Sequence, residues 1–341
     1  MLKSKTKKLI ITGALGHIGS RLIHSLEPTD ADEVTLIDNL STQRYCSLFN
    51  LPNEIQWRFI EADVTNENLK LANLLAGADA VVHLAAVTNA AASFEIQEEV
   101  ERVNFIGTHR VAQACLEAEC PLLFLSTTSV YGVSEGVVNE NCPPEQLQPQ
   151  SPYADSKLRA ERLLAELGET SGLRFFIGRF GTIYGASIGM RFHTAVNKFI
   201  WQACMGQPLS VWQTALDQQR PYLELGDAVA AIRFILQSDL FDNEIYNVLT
   251  DNLSVRQITD AIRKYVPGLK IELVEARIMN QLSYTVDRSR FQTRGFRFVG
   301  DLDSGIRESI DLFRALVSSQ DNPFRGGLLR NDLKFRRQLP E

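Results

Sequence analysis

A chain of 341 residues, 45% of them hydrophobic, can bury a large core, which excludes a disordered tail and suits one large domain or two closely joined ones. Its 35 basic and 41 acidic residues leave a net charge of -6, which argues against a general nucleic-acid binder because a polyphosphate calls for a basic surface. Cys46, Cys115, Cys120, Cys142 and Cys204 are odd in number and form no CxxC pair, so neither a metal site nor a disulfide framework is expected and a reducing cytoplasm fits best.

In chain order, residues 1–8 are basic, but the apolar run after them is broken at Thr12 and Gly13, unlike a secretion signal. No stretch approaches the ~20 apolar residues of a membrane span, so no membrane partner is expected. Residues 9–11 read as a short buried strand, followed by a glycine turn from Gly13 to Gly19 and a helix with Ile18, Leu22, Ile23 and Leu26 on one face. Further strands are predicted at 34–37, 57–62, 80–84, 122–125 and 175–178, with helix-like segments between them. Nearly continuous apolar strands alternating with helices predict an α/β fold whose parallel sheet is covered on both faces. From about residue 186 the alternation becomes irregular. Helices are still predicted at 227–236 and 255–265, the latter stopped by Pro267-Gly268. Residues 321–341 read as an extended tail.

The turn Gly13-Ala14-Leu15-Gly16-His17-Ile18-Gly19 follows a strand and opens a helix. In that context glycines let the backbone turn tightly and approach a pyrophosphate, while the helix amino terminus offers unpaired N–H groups to the anion. The alternative is a glycine-rich connection without a ligand. Asp38 closes the second strand about 20 residues on, where a carboxylate accepts hydrogen bonds from an adenosine ribose and repels a 2′-phosphate. That favours NAD over NADP, with Arg44 nearby moderating the preference; the plain alternative is a turn residue. Tyr153 and Lys157 lie one helical turn apart in Tyr-Ala-Asp-Ser-Lys, so both project from one face. A cation close to a phenol favours the phenolate, which makes Tyr153 a candidate proton acceptor; the alternative is a surface Tyr beside a solvated Lys. Ser126, Thr127, Thr128 and Ser129 place hydroxyls at the end of the fifth strand, where ligands of open α/β sheets bind.

These residues, with Asp38-Asn39-Leu40-Ser41-Thr42, Asp63-Val64, His83-Leu84-Ala85-Ala86, Asn104 with Gly107-Thr108, and the run from Arg179 to Gly185, resemble the extended short-chain dehydrogenase/reductases, in particular the NAD-dependent nucleotide-sugar epimerase/dehydratase family. The resemblance spans most of residues 9–315 and implies a Rossmann-type doubly wound sheet over about 1–185. A smaller, irregular substrate-binding region at about 186–320 follows. It implies NAD bound by Gly13, Gly16, His17, Ile18, Gly19, the 38–42 segment, Asp63 and Val64 at the adenine, Leu84, Ala85, Ala86, Asn104, Tyr153 and Lys157. Thr127, Tyr153 and Lys157 would form the catalytic triad. Arg220 would hold the diphosphate of a nucleotide sugar, with Thr88, Thr127, Thr182, Arg191 and Lys198 as further substrate contacts. Thr182 stands where the family often has Asn, and Pro221 stands where Asp usually follows the arginine.

Family 4,6-dehydratases carry Asp-Glu directly after the catalytic Thr, decarboxylases tend to carry Glu two positions after it, and 3,5-epimerases a Cys there. Here those positions are Thr128 and Ser129. The expected activity is therefore 4-epimerisation through a transient 4-keto sugar. Alternatives are another nucleotide-sugar activity (keto-reductase, oxidase or dehydratase) and a non-catalytic NAD(H)-sensing protein. The resemblance also implies a homodimer, through helices near 95–117 and 153–167.

Overall fold

Burial of whole strands, not of alternate residues, organises the central layer. All six residues of Leu122–Thr127 and of Phe175–Phe180 are buried, as expected for strands covered on both faces. The computed structural model describes residues 7–132, 136–275 and 283–313; the tail read at 321–341 lies outside them. Its central sheet has seven strands, β1 (Lys8–Thr12), β2 (Glu33–Asp38), β3 (Gln56–Glu61), β4 (Ala80–His83), β5 (Leu122–Thr127), β6 (Phe175–Phe180) and β7 (Glu244–Val248). Their order is β7-β6-β5-β4-β1-β2-β3, every neighbouring pair parallel. The chain runs outward from β1 in one direction and then, from β4, in the other, so the crevice for a ligand opens at the carboxyl ends of β1 and β4. β7 was not among the predicted strands. It is contributed by the irregular-looking region, and its polar Glu244 and Asn247 disguise an edge strand.

Helices cover both faces. On one, α1 (His17–Ile23) and α5 (Leu225–Gln237) bring Leu22, Ile23, Ala228, Ile232 and Ile235 against Ile11, Leu36 and Val82. On the other, α2 (Gly107–Glu117) and α3 (Pro152–Ser171) bring Val111, Cys115, Ala160 and Leu164 against Ile10, Val81 and Phe124. The irregular region holds a layer of its own. Gln219–Glu224 runs parallel to Thr182–Tyr184 and antiparallel to Asp251–Ser254. α4 (Ala195–Cys204), α6 (Val255–Tyr265) and α7 (Leu302–Asp311) pack there through Ile200, Ile258, Ile262 and Ile306. α6 matches the predicted 255–265 and starts at a capping box between Ser254 and Gln257. Among the described residues no helix is long and apolar enough to cross a membrane.

α3 carries the Tyr-Lys pair, and its ends are set by sequence. The Ser151 hydroxyl accepts the Ala154 N–H at 3.2 Å, Pro152 opens the first turn, and Gly172 closes the last in the left-handed region at φ 76°. Ala154, Leu158 and Ala160 are buried, which fixes the helix's rotation over β5.

Candidate active site

The three glycines of the first turn do different work. Gly13 sits at φ 64°, and a Cβ there would run into the backbone of Ala85 and Leu84, 2.6 Å from the Leu84 carbonyl carbon; its N–H donates to Ile37 O at 2.8 Å. A Cβ on Gly19 would lie 2.7 Å from the Ala14 carbonyl carbon. Gly13 therefore lets β4 close on β1, and Gly19 lets the helix close on its own turn. Gly16 is otherwise: a Cβ there would meet only Gly13 O, at 3.3 Å. The protein itself leaves room at Gly16, on the side that faces the cleft.

Gly13, Gly16, Asp38, Asn39, Ser41, Thr42, Asp63, Val64, Leu84, Ala85 and Ala86 line one cleft at the carboxyl ends of β1, β2 and β4, together with Arg44 and Val103. The Asp38 carboxylate accepts Leu15 N–H at 3.0 Å and Leu40 N–H at 2.9 Å, pinning the glycine turn to the next loop and leaving lone pairs for a ribose diol. Asp63 accepts Thr65 N–H at 2.9 Å, Asn39 Nδ2 at 3.3 Å and Arg102 Nη1 at 3.2 Å. Burial pushes its pKa up, but these bonds win and hold it below the usual carboxylate range. Other predicted contacts act behind the cleft wall. Leu40 turns its side chain into the core, and Ile18 packs beside it. His17 is buried, its Nδ1 at 2.8 Å from Ser187 Oγ. Asn104 is fully buried on a wide π-type turn, Glu101–Ile106, where it brackets Val87 by accepting its N–H at 2.8 Å and donating to its carbonyl at 2.9 Å.

A buried polar ladder stands under the cleft. Thr108 Oγ1 donates to Asn104 O at 2.6 Å, so it accepts from His83 Nε2 at 3.1 Å; His83 Nδ1 then accepts from Thr12 Oγ1 at 2.6 Å. Complete burial, with Lys157 nearby, pushes the His83 pKa down to about 3, so this ring is neutral and its two nitrogens have opposite roles. Sequence patterning marked His83 only as part of a motif.

Tyr153 and Lys157 stand on α3, which packs across the end of β5 where Thr127 lies. Thr127 Oγ1 accepts Ser129 N–H at 3.1 Å, which leaves its own proton available to a further acceptor. Burial raises the Tyr153 pKa, opposed by the Arg191 guanidinium and by the Thr127 hydroxyl. Lys157 Nζ donates to Leu125 O at 2.8 Å and lies 4.5 Å from the Phe124 ring centre; burial, opposed by Glu161, pushes it down to about 7. The cation felt most by Tyr153 here is thus Arg191, while Lys157 is directed at a carbonyl. Beneath them Glu161 accepts Ser126 Oγ and pairs with Arg179 at 2.7 Å, both partners buried.

Arg191 donates from Nη1 to Thr88 Oγ1 at 2.6 Å. Arg220 stands on the small sheet beside Tyr222 and Tyr284. Thr182 pairs with Tyr222 in that sheet, and Lys198 is exposed on α4. No pattern in the sequence pointed to Tyr284, yet it is buried and its phenol is influenced by the Thr128 and Ser129 hydroxyls.

Residues 9–248 match the NAD dependent epimerase/dehydratase family. The chain belongs to that family. Membership makes it an NAD-dependent enzyme of Rossmann-type α/β fold, and the cleft fits NAD: Gly16 leaves space for a close anion, and Asp38 suits a ribose diol. Among known relatives of the family, the chain is 32% identical over 248 residues to the uncharacterized UDP-glucose epimerase YtcB of Bacillus subtilis, covering 71% of this chain and 76% of that protein. It is 28% identical to the trifunctional UDP-glucose 4,6-dehydratase/UDP-4-keto-6-deoxy-D-glucose 3,5-epimerase/UDP-4-keto-L-rhamnose-reductase RHM2 of Arabidopsis thaliana, covering 91% of this chain. It spans only about half of that relative's length, 47%. The solved structure of MoeE5 in complex with UDP-glucuronic acid and NAD superposes with a TM-score of 0.77 at 27% identity, covering 90% of this chain and 99% of that one.

Proposed function

We propose that this family member inverts nucleotide sugars at C4 through a 4-keto intermediate. The observation that carries the proposal is that Lys157, one helical turn from Tyr153, reaches the end of β5 at Leu125 O, where Thr127 is followed by the hydroxyls of Thr128 and Ser129 and not by the carboxyl or thiol of a dehydratase, decarboxylase or 3,5-epimerase. Bound NAD supplies the hydride acceptor, then the hydride donor, at C4. Tyr153 takes the proton of the C4 hydroxyl as the ketone forms and returns it when the ketone is reduced on its other face. Thr127 donates to the Tyr153 oxygen and so stabilises the phenolate. Lys157, whose Nζ donates to Leu125 O, binds the nicotinamide ribose in this reading. Arg220 holds the diphosphate, for which a guanidinium fork is suited.

Incubation with UDP-, GDP- and dTDP-sugars, followed by NMR of the sugar, tests this reading. A C4 epimer with no net formation of NADH supports it; stoichiometric NADH, or loss of water, overturns it.

A further inference from the structure

Glu161 lies one helical turn beyond Lys157 on α3 and takes no part in the proton and hydride steps. Its side chain and that of Arg179 are each 3% exposed. Every group that reaches it is a donor: Arg179 Nη2 at 2.7 Å and Nε at 3.1 Å, one to each oxygen, and the Ser126 hydroxyl. Glu161 is therefore ionised. A buried ion pair is weak evidence for stability, since well-packed apolar side chains often serve as well, and this one is built onto the strand that also takes Lys157. In successive residues of β5 the Leu125 carbonyl accepts Lys157 Nζ at 2.8 Å and the Ser126 hydroxyl donates to Glu161; Thr127 follows. Adjacent polar rungs thus join β5 to α3, with the ammonium on one and the carboxylate on the next.

Lys157 is itself 3% exposed, and dry surroundings favour the neutral amine. Glu161 is the charge that opposes them. The other titratable groups on the elements around Lys157 do not take its place: His83 on β4 is neutral, Tyr153 precedes it on α3, the Arg179 guanidinium on β6 is held by Glu161, and Glu101 on the π-type turn pairs with Arg159 on the half-exposed side of α3. We infer that Glu161 is a positioning residue for the reaction, keeping Lys157 an ammonium aimed along the end of β5. An ammonium has donors to spare after the bond to Leu125 O. That the reaction needs them rests on the proposed role of Lys157 beside Tyr153.

NMR of the NAD-loaded protein with lysine isotopically labelled at Cε, the Lys157 signal assigned by its loss in Lys157→Met, reads this without turnover. Glu161→Gln is expected to move the titration midpoint of Lys157 down by about 1 pH unit or more, and Glu161→Asp, which keeps the charge, restores most of it. Glu161→Gln leaves Arg179 buried without its partner, so a second variant joins it to Arg179→Gln and removes both charges of the pair; the midpoint falls there too. In turnover of a nucleotide sugar, the pH above which kcat falls moves down by the same interval. A Lys157 midpoint unchanged in the double variant, whatever the loss of stability, overturns the inference and leaves Glu161 a structural staple. An equal fall in Glu161→Asp and Glu161→Gln also overturns it. A shifted midpoint in a protein that forms no C4 epimer supports this inference and removes the proposed reaction; a C4 epimer with an unshifted midpoint does the reverse.

Discussion

Tyr153 sits where burial opposes the phenolate and only Thr127 and Arg191 favour it. Replacing it by Phe removes the proton acceptor but not the ring that packs beside the cleft. Tyr153→Phe is expected to lower kcat by about 10²–10⁴-fold with NAD affinity retained, read by steady-state kinetics and nucleotide titration; unchanged sugar turnover removes Tyr153 from the chemistry. The glycines separate by the same kind of reasoning. Gly13→Ala meets backbone of Ala85 and Leu84 at a positive φ and is expected to destabilise the fold by about 2 kcal/mol or more. Gly16→Ala, with nothing closer than 3.3 Å, is expected to change stability by under about 1 kcal/mol while weakening NAD binding. Denaturant melts and NAD titration of the two variants distinguish them, and equal loss of stability in both would refute the distinction. His83 supplies the pH dependence. Its folded pKa is about 3 against 6.5 unfolded, so the unfolded chain binds the extra proton and stability is lost as pH falls from 6.5 toward 3. The slope is about 1.4 kcal/mol per pH unit. In His83→Gln this part of the slope should vanish, as read from denaturant midpoints across that range.

At the scale of elements, α3 is the part whose placement the chemistry needs. Its cap is local, and Ser151→Ala is expected to cost about 1 kcal/mol by loss of the bond to Ala154 N–H, measured by thermal melt; no change would mean that Pro152 alone sets the start. The elements themselves were legible where the pattern was local. All six predicted strands are present, because a strand buried on both faces is a plain apolar run, and α6 ends where Pro267-Gly268 stops it. β7 was not legible. Glu244-Ile245-Tyr246-Asn247-Val248 has polar residues whose partners come from afar: Asn247 Oδ1 accepts Tyr131 Oη at 2.8 Å, across 116 residues. The small sheet was missed for a similar reason, since the Gln219–Glu224 strand carries Gln219, Arg220 and Pro221 before its apolar part.

At the scale of the molecule, the glycine-lined cleft opens at the switch point of the sheet, and the small layer carries Thr182 and Arg220, the proposed substrate contacts. Phe94, Ile96 and Ile106 stand 40%, 41% and 44% exposed along the segment where a partner copy is expected. A homodimer through this face is predicted, with light scattering giving twice the chain mass and Ile106→Glu reducing it to the monomer; a wild-type monomer at assay concentrations would exclude it. The sequence by itself determined the glycine turn, the carboxylate closing the second strand, the Tyr-Lys register and the parallel sheet, since each rests on spacing within one strand, turn or helix. Only the tertiary structure decided which cation acts on Tyr153 and which aromatic packs beyond the end of β5. Arg191 meets Thr88 across 103 residues, and Tyr284 packs with Val130 and Tyr131 just past the end of β5. Such encounters depend on how layers pack, and hydrophobic periodicity carries no record of which polar side chains the packing brings together.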